Sequence, residues 1–462
     1  MRALHYLATL GLLTFLVTAA AAQETEHHTN TGIADAYGTR SARIIDRASR
    51  DGEAYERLAE MTDRFGNRLS GSESLEKAID WILAKMKLDE FDNVRGQKVM
   101  VPHWVRGEES LEIVSPRRRM IPMVGLGGSI ATPPEGIEAD IFVVSSFEDL
   151  RDHATAAAGK IVLFNVPFTS YGETVRYRGM GAVEAAKVGA VASLVRSVTP
   201  FSMQTPHTGA MYYDVETPKI PSAAVTIEDA LYFAREQARG ITPKVRLFMQ
   251  AQTLPDAPSR NVVAELRGTE FPDEVVVMGG HIDSWDVGQG AMDDGGGAFA
   301  AWEALRILKE LGLRARRTIR VVMWTNEENG TRGGSAYRDS VADHVDDHIL
   351  AIESDAGVFS PTGFGFSGSE EAMAIVTEIG DLLAPIGAGT ITQGGGGADI
   401  GPLMREGVPG AGLAVDRSQY FWYHHTAADT IDKLDPAEMG RCVAALAVLA
   451  YVVADMPERL PR

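Results

Sequence analysis

The sequence predicts an α/β fold, with a mostly parallel central sheet covered by helices on both faces and carrying an inserted α+β unit. Three observations lead there. From Asn261 onward, short apolar runs alternate with helical patterns, the order that builds parallel sheets. Between about residues 116 and 254 the texture changes to short strands broken by Gly and Pro. A chain of 462 residues also exceeds one ordinary domain.

Taken in order, Met1 to Ala22 has Arg2, an apolar run from Leu7 to Val17 and small residues at Ala20, Ala21 and Ala22. That is the pattern of a secretory signal peptide and implies a secreted or periplasmic location. After Gln23 no segment reads as long and apolar enough to cross a bilayer, so no membrane contact is expected once the signal is cleaved. Residues 23–115 read as an N-terminal helical part, with Leu75, Ile79, Ile82, Leu83 and Met86 on one buried face. Residues 116–254 read as the insert, with strands at 141–144, 160–164 and 190–194 and one helix from Met180 to Val188.

Residues 255–462 carry the alternating pattern. Strands are expected at 274–280, 318–325, 349–353 and 410–415. Helices are expected at 299–311, amphipathic through Phe299, Trp302, Leu305 and Leu308, and at 370–383 and 436–455.

Lys plus Arg at 44 against Asp plus Glu at 63 gives a net charge of −19, which disfavours nucleic acid or anionic membrane as partners. The single Cys442, in an Ala/Val/Leu-rich run, reads as a small buried hydrophobe, and no intrachain disulfide is possible. His344 and His348 have helical spacing among Asp343, Asp346 and Asp347 and read as a solvated face.

The chemistry-bearing residues sit at successive carboxyl ends of the expected strands, where open α/β sheets place their sites. The first strand runs into Gly280-His281-Ile282-Asp283, and Asp283 could accept the second ring N–H of His281. A lone His at such a place is usually only hydrogen-bonded. The weight comes from the acidic pairs further along the chain. Asp293 and Asp294 precede three glycines that let backbone fold closely around a cation, and a helix cap explains only one of the two. Glu327 and Glu328 end the next strand as adjacent like charges, costly unless cations offset them. Asp355 and the pair His424-His425 complete the set. Carboxylates with imidazoles suit zinc, with cobalt or manganese as substitutes.

His-x-Asp, Met-Asp-Asp-Gly, Asn-Glu-Glu-x-Gly, Glu-Ser-Asp-Ala-Gly and His-His-Thr-x-x-Asp-Thr together resemble the co-catalytic zinc peptidases that include secreted bacterial aminopeptidases and glutamate carboxypeptidases. The resemblance extends to residues 67–72, 101–104 and 106–110 and covers nearly all of the chain after Gln23. It implies two zinc ions, one held by His281 and Asp355, the other by Glu328 and His425, with Asp293 bridging. It makes Glu327 the general base and acid, gives Asp294 the support of Asp293, and has Asp283 orient His281. His424 and Asp399, the latter in a Gly394–Asp399 loop, are implied substrate neighbours.

The insert resembles a protease-associated domain, which lids or flanks the site in relatives. It holds no ligand candidate, so its excision is expected to leave metal content intact. The implied substrate is a short peptide or dipeptide, and the implied assembly a homodimer. An aminopeptidase on the same site, a non-catalytic receptor-like member and a glutaminyl cyclase are the alternatives. Intact ligands and Glu327 weigh against the receptor, and the Asp-Asp pair against the single-zinc cyclase.

Overall fold

The computed structural model describes residues 32–462. The expected signal segment, Met1 to Ala22, lies outside them. The N-terminal part forms three helices, Ile33–Ser49, Glu53–Phe65 and Glu73–Leu88. Ser72 starts the third by accepting the Leu75 N–H on its hydroxyl. Leu75, Ile79, Ile82, Leu83 and Met86 are buried along one face, as their spacing requires. This part is not purely helical. The strand Asp92–Val105 follows and pairs antiparallel with Gln252–Leu266.

The main sheet has eight strands, in the order Asp92–Val105, Gln252–Leu266, Arg317–Trp324, Phe271–His281, His348–Glu353, Gly410–Val415, Pro361–Ser367 and Thr390–Gln393. Its centre is parallel, as expected. The sheet as a whole is mixed, because Gln252–Leu266 and Pro361–Ser367 run against their central neighbours. Val276, Met278, Val321 and Met323 face the helices Gly296–Glu310 and Pro436–Asp455, while Val275, Val277, Val322 and Trp324 face the other core layer with Tyr337 and Leu403. This is the period-2 alternation of strands covered on both sides.

Two helices differ from their sequence reading. Gly296–Glu310 is buried on all sides from Gly296 to Leu308, and Arg306 there donates to Glu303 (Nε–Oε1 2.8 Å). An ion pair thus stands where an amphipathic helix would show water. Pro436–Asp455 is by length and composition apolar enough to cross a membrane, contrary to the expectation that no such segment follows Gln23. Its surroundings account for that composition: every residue from Met439 to Ala454 except Arg441 is buried inside the main core, Cys442 among them.

A second eight-stranded sheet has the order Arg119–Ile121, Glu109–Ser115, Lys244–Met249, Ile137–Val144, Ile161–Phe164, Ala192–Arg196, Ser222–Val225 and Met123–Gly125. It therefore takes in residues from Glu109 onward, ahead of position 116. Its helix Tyr171–Lys187 begins nine residues before the expected Met180. Gly172, Gly179 and Gly181 dilute the helical signal. The start is nonetheless encoded, since the Ser170 hydroxyl accepts the Glu173 N–H.

His348 is also displaced from its reading as a solvated residue. It is buried at the start of its strand, where Tyr337 donates to Nε2 (3.0 Å) and Nδ1 donates to the His344 carbonyl (3.3 Å). Burial, then the Arg320 charge, lowers its pKa from 6.5 to about 4. The unfolded chain thus binds a proton that the folded chain refuses between those values. Stability from this group is complete above pH 6.5 and is lost as pH falls toward 4, up to about 3 kcal/mol. His348→Gln is expected to flatten that acid limb, read as a smaller change in urea midpoint between pH 7.5 and pH 4.5.

Candidate metal centre

Three strand ends of the main sheet, the turn Ala291–Gly295 and one C-terminal loop deliver the site. The strand Phe271–His281 ends on His281, whose backbone N–H donates to Asp294 Oδ2 (3.1 Å), while Asp294 Oδ1 accepts the Gly297 N–H (3.1 Å). Asp294 thereby ties the strand end to the helix that comes after it. Gly280 and Gly297 are required for this approach: a Cβ on either would strike the Asp294 carboxylate. The peptide bond Asp293–Asp294 is cis.

Asp293 stands in the middle, and its two oxygens face different partners. Oδ1 lies 3.3 Å from His281 Nε2, which is itself 3.6 Å from Asp355 Oδ1. Oδ2 lies 3.3 Å from His425 Nε2, which is 3.1 Å from Glu328 Oε2. His424 stacks on His425 with ring centroids 3.5 Å apart, and its Nε2 is 3.6 Å from Asp293 Oδ2. Glu327 Oε2 is 3.9 Å from His281 Nε2, and its side chain keeps 20% exposure toward the cleft. All the expected ligands therefore converge, together with Glu327 and His424.

The charges reflect how crowded this basin is. Burial, then Asp355 and Glu328, pushes the Glu327 carboxyl well above the usual range, and burial with Asp293 pushes Glu328 to about 7. Burial opposes charge on both histidines of the pair, but Glu328 and Asp293 hold His425 up at about 10. His424 is held well below the usual histidine range by burial and by His425, which outweigh the opposing pull of Asp293.

Three supports differ from the sequence reading or escaped it. The carboxylate of Asp283 does not orient His281. His281 Nδ1 donates instead to the Asp283 backbone carbonyl (2.9 Å), and the carboxylate accepts the N–H groups of Glu327 (3.1 Å) and Glu328 (3.3 Å). Asp283 thus aims the two glutamates. Asp429, without an assigned role, accepts the N–H groups of Ala291, Met292 and Asp293 and so fixes Asp293. Arg68 is wholly buried and donates to the carbonyls of Gly66, Ile282, Gln289 and Gly290, clamping the loops on either side of the site. In the sequence, Asp429 is marked by its spacing from His425 and Arg68 by the resembling stretch 67–72, neither with a role.

Asp399 does not join the cleft. It is 2% exposed, neither of its oxygens has a hydrogen-bond partner, and burial followed by the Glu353 charge pushes it well above the carboxylate range. The glycines before it, Gly395 to Gly397, line an adjoining cavity instead.

The cleft itself holds about 510 Å³ and is walled by both halves of the molecule, with Tyr171, Arg178, Ala210 and Tyr212 from the second-sheet region facing Asp293, Glu327, Glu328 and Asp355. That region does more than cover the site. The His207 Nδ1–H donates to the His424 carbonyl (2.8 Å), the Thr208 N–H to the His425 carbonyl (3.0 Å), and His425 Nδ1 to the Thr208 carbonyl (3.3 Å). His425 has φ +61, a left-handed backbone that a non-glycine residue keeps only when its surroundings impose it.

An α/β sheet with paired imidazoles and a shared buried carboxylate at its strand ends defines a metallopeptidase. The family model for Peptidase family M28 matches residues 261–450. Carboxypeptidase Q of Xenopus laevis is 52% identical over 409 residues, covering 88% of this chain and 87% of that protein. Carboxypeptidase Q of Homo sapiens is 50% identical over the same shares. The crystal structure of a peptidase M28 precursor from Shewanella amazonensis superposes with a TM-score of 0.89 at 33% identity, covering 93% of this chain and 99% of that one. The chain belongs to peptidase family M28.

The insert supplies none of the residues grouped around Asp293, but through His207 and Thr208 it holds the backbone of the loop that carries His424 and His425. His207→Ala, which removes the donor to the His424–His425 backbone, is expected to weaken metal binding on the His425 side of Asp293 by roughly 10- to 100-fold. Metal content after graded dialysis checks this, and unchanged retention of metal would remove the brace from the account.

Proposed function

We propose that this peptidase acts on dipeptides and short peptides as a carboxypeptidase with two zinc ions and Glu327 as proton carrier. The observation that carries the reading is the division of Asp293 between two donor sets. Two atoms bound at 2.0–2.1 Å to a tetrahedral zinc stand about 3.3 Å apart. The four donor pairs around Asp293 lie at 3.3, 3.6, 3.3 and 3.1 Å. His281 Nε2 and Asp293 Oδ2 are moreover buried without hydrogen-bond partners, which a cation resolves.

His281 and Asp355 would hold one ion, Glu328 and His425 the other, and Asp293 both. Bound there, the ions polarise the scissile carbonyl and make water acidic. Glu327 accepts the proton of the attacking water as its oxygen bonds to the carbonyl carbon. It returns that proton to the amide nitrogen as the C–N bond breaks. Asp283 keeps Glu327 and Glu328 in register, so that one faces the cleft and the other the ion. The C-terminal preference rests on relatives of that name, alike over nearly their full length. Export to a secreted or periplasmic location rests on the Met1–Ala22 pattern.

Glu327→Gln is the decisive substitution. Turnover of a dipeptide is expected to fall by roughly 10²- to 10⁴-fold while both metals and substrate affinity persist. Glu328→Gln is expected instead to lose one ion, with activity partly restored by added zinc. Reversed phenotypes would exchange the two roles, and wild-type turnover in both would end this mechanism. Chelation is expected to abolish activity, and zinc, cobalt or manganese to restore some of it.

A further inference from the structure

Among the described residues the chain passes between its two sheets twice, and the two passages lie side by side. The main-sheet strand Asp92–Val105 leads through residues 106–108 into Glu109–Ser115 of the second sheet, and Lys244–Met249 returns through Gln250 and Ala251 to Gln252–Leu266. Backbone joins them, with the Gln250 N–H donating to the Glu108 carbonyl (3.0 Å). Gly107 permits this approach: its φ is +69, and a Cβ there would strike the Gln250 side chain. Residues 106–110 share the peptidase resemblance without lining the cleft.

Arg106 stands at this crossing, its side chain 11% exposed, and it grips both halves. On the main-sheet side, Nε donates to Asp286 Oδ2 (2.8 Å) and Nη2 to Asp286 Oδ1, a fork on a carboxylate that is 17% exposed. On the other side, Nη1 donates to the Gly125 carbonyl and Nη2 also to the Thr208 hydroxyl (3.4 Å). The guanidinium lies over the Trp104 ring, 5.0 Å from its centroid, which fixes its plane. A planar, five-donor group can hold all these acceptors at once, and lysine cannot.

Both ends of the clamp lead directly to the metal centre. Asp286 follows Trp285, whose backbone N–H donates to Glu328 Oε1 (3.2 Å) and whose ring lies 5.7 Å from that of His425. Thr208 donates its N–H to the His425 carbonyl (3.0 Å) and accepts from His425 Nδ1 (3.3 Å). The Trp285 ring also fills the space a Cβ on Gly127 would need, so the two halves meet there without slack. We propose that Arg106 is a positioning residue that locks the second-sheet region onto the Asp283–Asp286 loop, setting together the seats of Glu328 and His425 and the width of the cleft. A buried ion pair returns little net stability after desolvation, so the effect of this one is on geometry. The inference rests on the metallopeptidase reading for its kinetic consequence alone.

The test compares the full chain with Arg106→Gln, Arg106→Lys, Asp286→Asn and the double variant Arg106→Gln/Asp286→Asn. Per folded, zinc-saturated protein, Arg106→Gln is expected to lose roughly 10- to 100-fold in kcat/KM for a dipeptide, chiefly through KM, and to retain less metal after graded dialysis. Arg106→Lys keeps the charge without the fork and should recover part of the loss. The double variant separates positioning from stability. It no longer buries an unpaired carboxylate, so its Tm is expected to return toward wild type while kcat/KM stays as low as in Arg106→Gln.

Hydrogen exchange in the metal-free protein gives a readout that needs neither metal nor turnover. The Trp285 and Thr208 amides are expected to exchange roughly 10-fold faster in Arg106→Gln and in the double variant, with the helix Pro436–Asp455 unchanged. Wild-type protection of these amides, or recovery of kcat/KM together with Tm in the double variant, makes Arg106 a stabilising residue only and overturns the proposal. A wild type without dipeptide turnover overturns the peptidase reading instead, and the exchange comparison then decides the role of Arg106 by itself.

Discussion

Asp293, Glu327, Glu328 and Asp355 share one basin with three imidazoles, and their mutual repulsion is the constraint around which the protein is organised. Buried carboxylates this close resist ionising together, which is why burial and neighbouring charge drive Glu327, Glu328 and Asp355 upward. Asp293 escapes this: although burial works against its charge, His281 and His425 flank it and hold it well below the usual range. The two histidines also set the spacing, so that one carboxylate reaches two groups of donors. Divalent cations would balance the remaining charge.

Holding such a cluster together takes a surrounding frame of hydrogen bonds. Asp294, Asp283 and Asp429 each accept backbone N–H groups rather than facing the centre, and each fixes one of the strand-end loops that carry it. Arg68 does the converse with carbonyls, and burial lowers its pKa to about 10. These four side chains neutralise peptide dipoles that the tight loops leave unpaired. The second-sheet region supplies the last part of the frame through His207 and Thr208, which hold the His424–His425 backbone. The same region also walls the cleft, so substrate access and ligand positioning are coupled through one body of the structure.

Much of this is legible in the sequence, and the parts that are not share a physical cause. Alternating apolar runs mark the central strands, and Gly410–Val415 and Pro436–Asp455 appear with the expected bounds. The helix Tyr171–Lys187 starts earlier than its apolar pattern suggests, because its glycines hide a start that Ser170 nevertheless specifies. Glu109–Ser115 falls inside the stretch read as N-terminal and helical, and only its pairing with Lys244–Met249 assigns it to the second sheet. His348 sits among acidic neighbours in sequence yet is enclosed by Tyr337 and Arg320 in space.

The sequence by itself determined which atoms could bind metal, since His281, Asp293, Glu328, Asp355 and His425 each stand at a strand end or loop that backbone pairing alone brings to one edge of the sheet. The family resemblance, in turn, offered Glu327 as the glutamate left over from metal binding. What only the tertiary structure decided was the direction of each side chain: that the Asp283 carboxylate turns to the glutamates, that Asp399 is enclosed away from the cleft, and that the Arg178 guanidinium is committed to the cleft wall. Local pattern fixes where a residue lies along a strand or helix. Orientation beyond that depends on contacts between residues hundreds of positions apart, such as His207 with His424 or Arg68 with Gly290, and no local pattern encodes them.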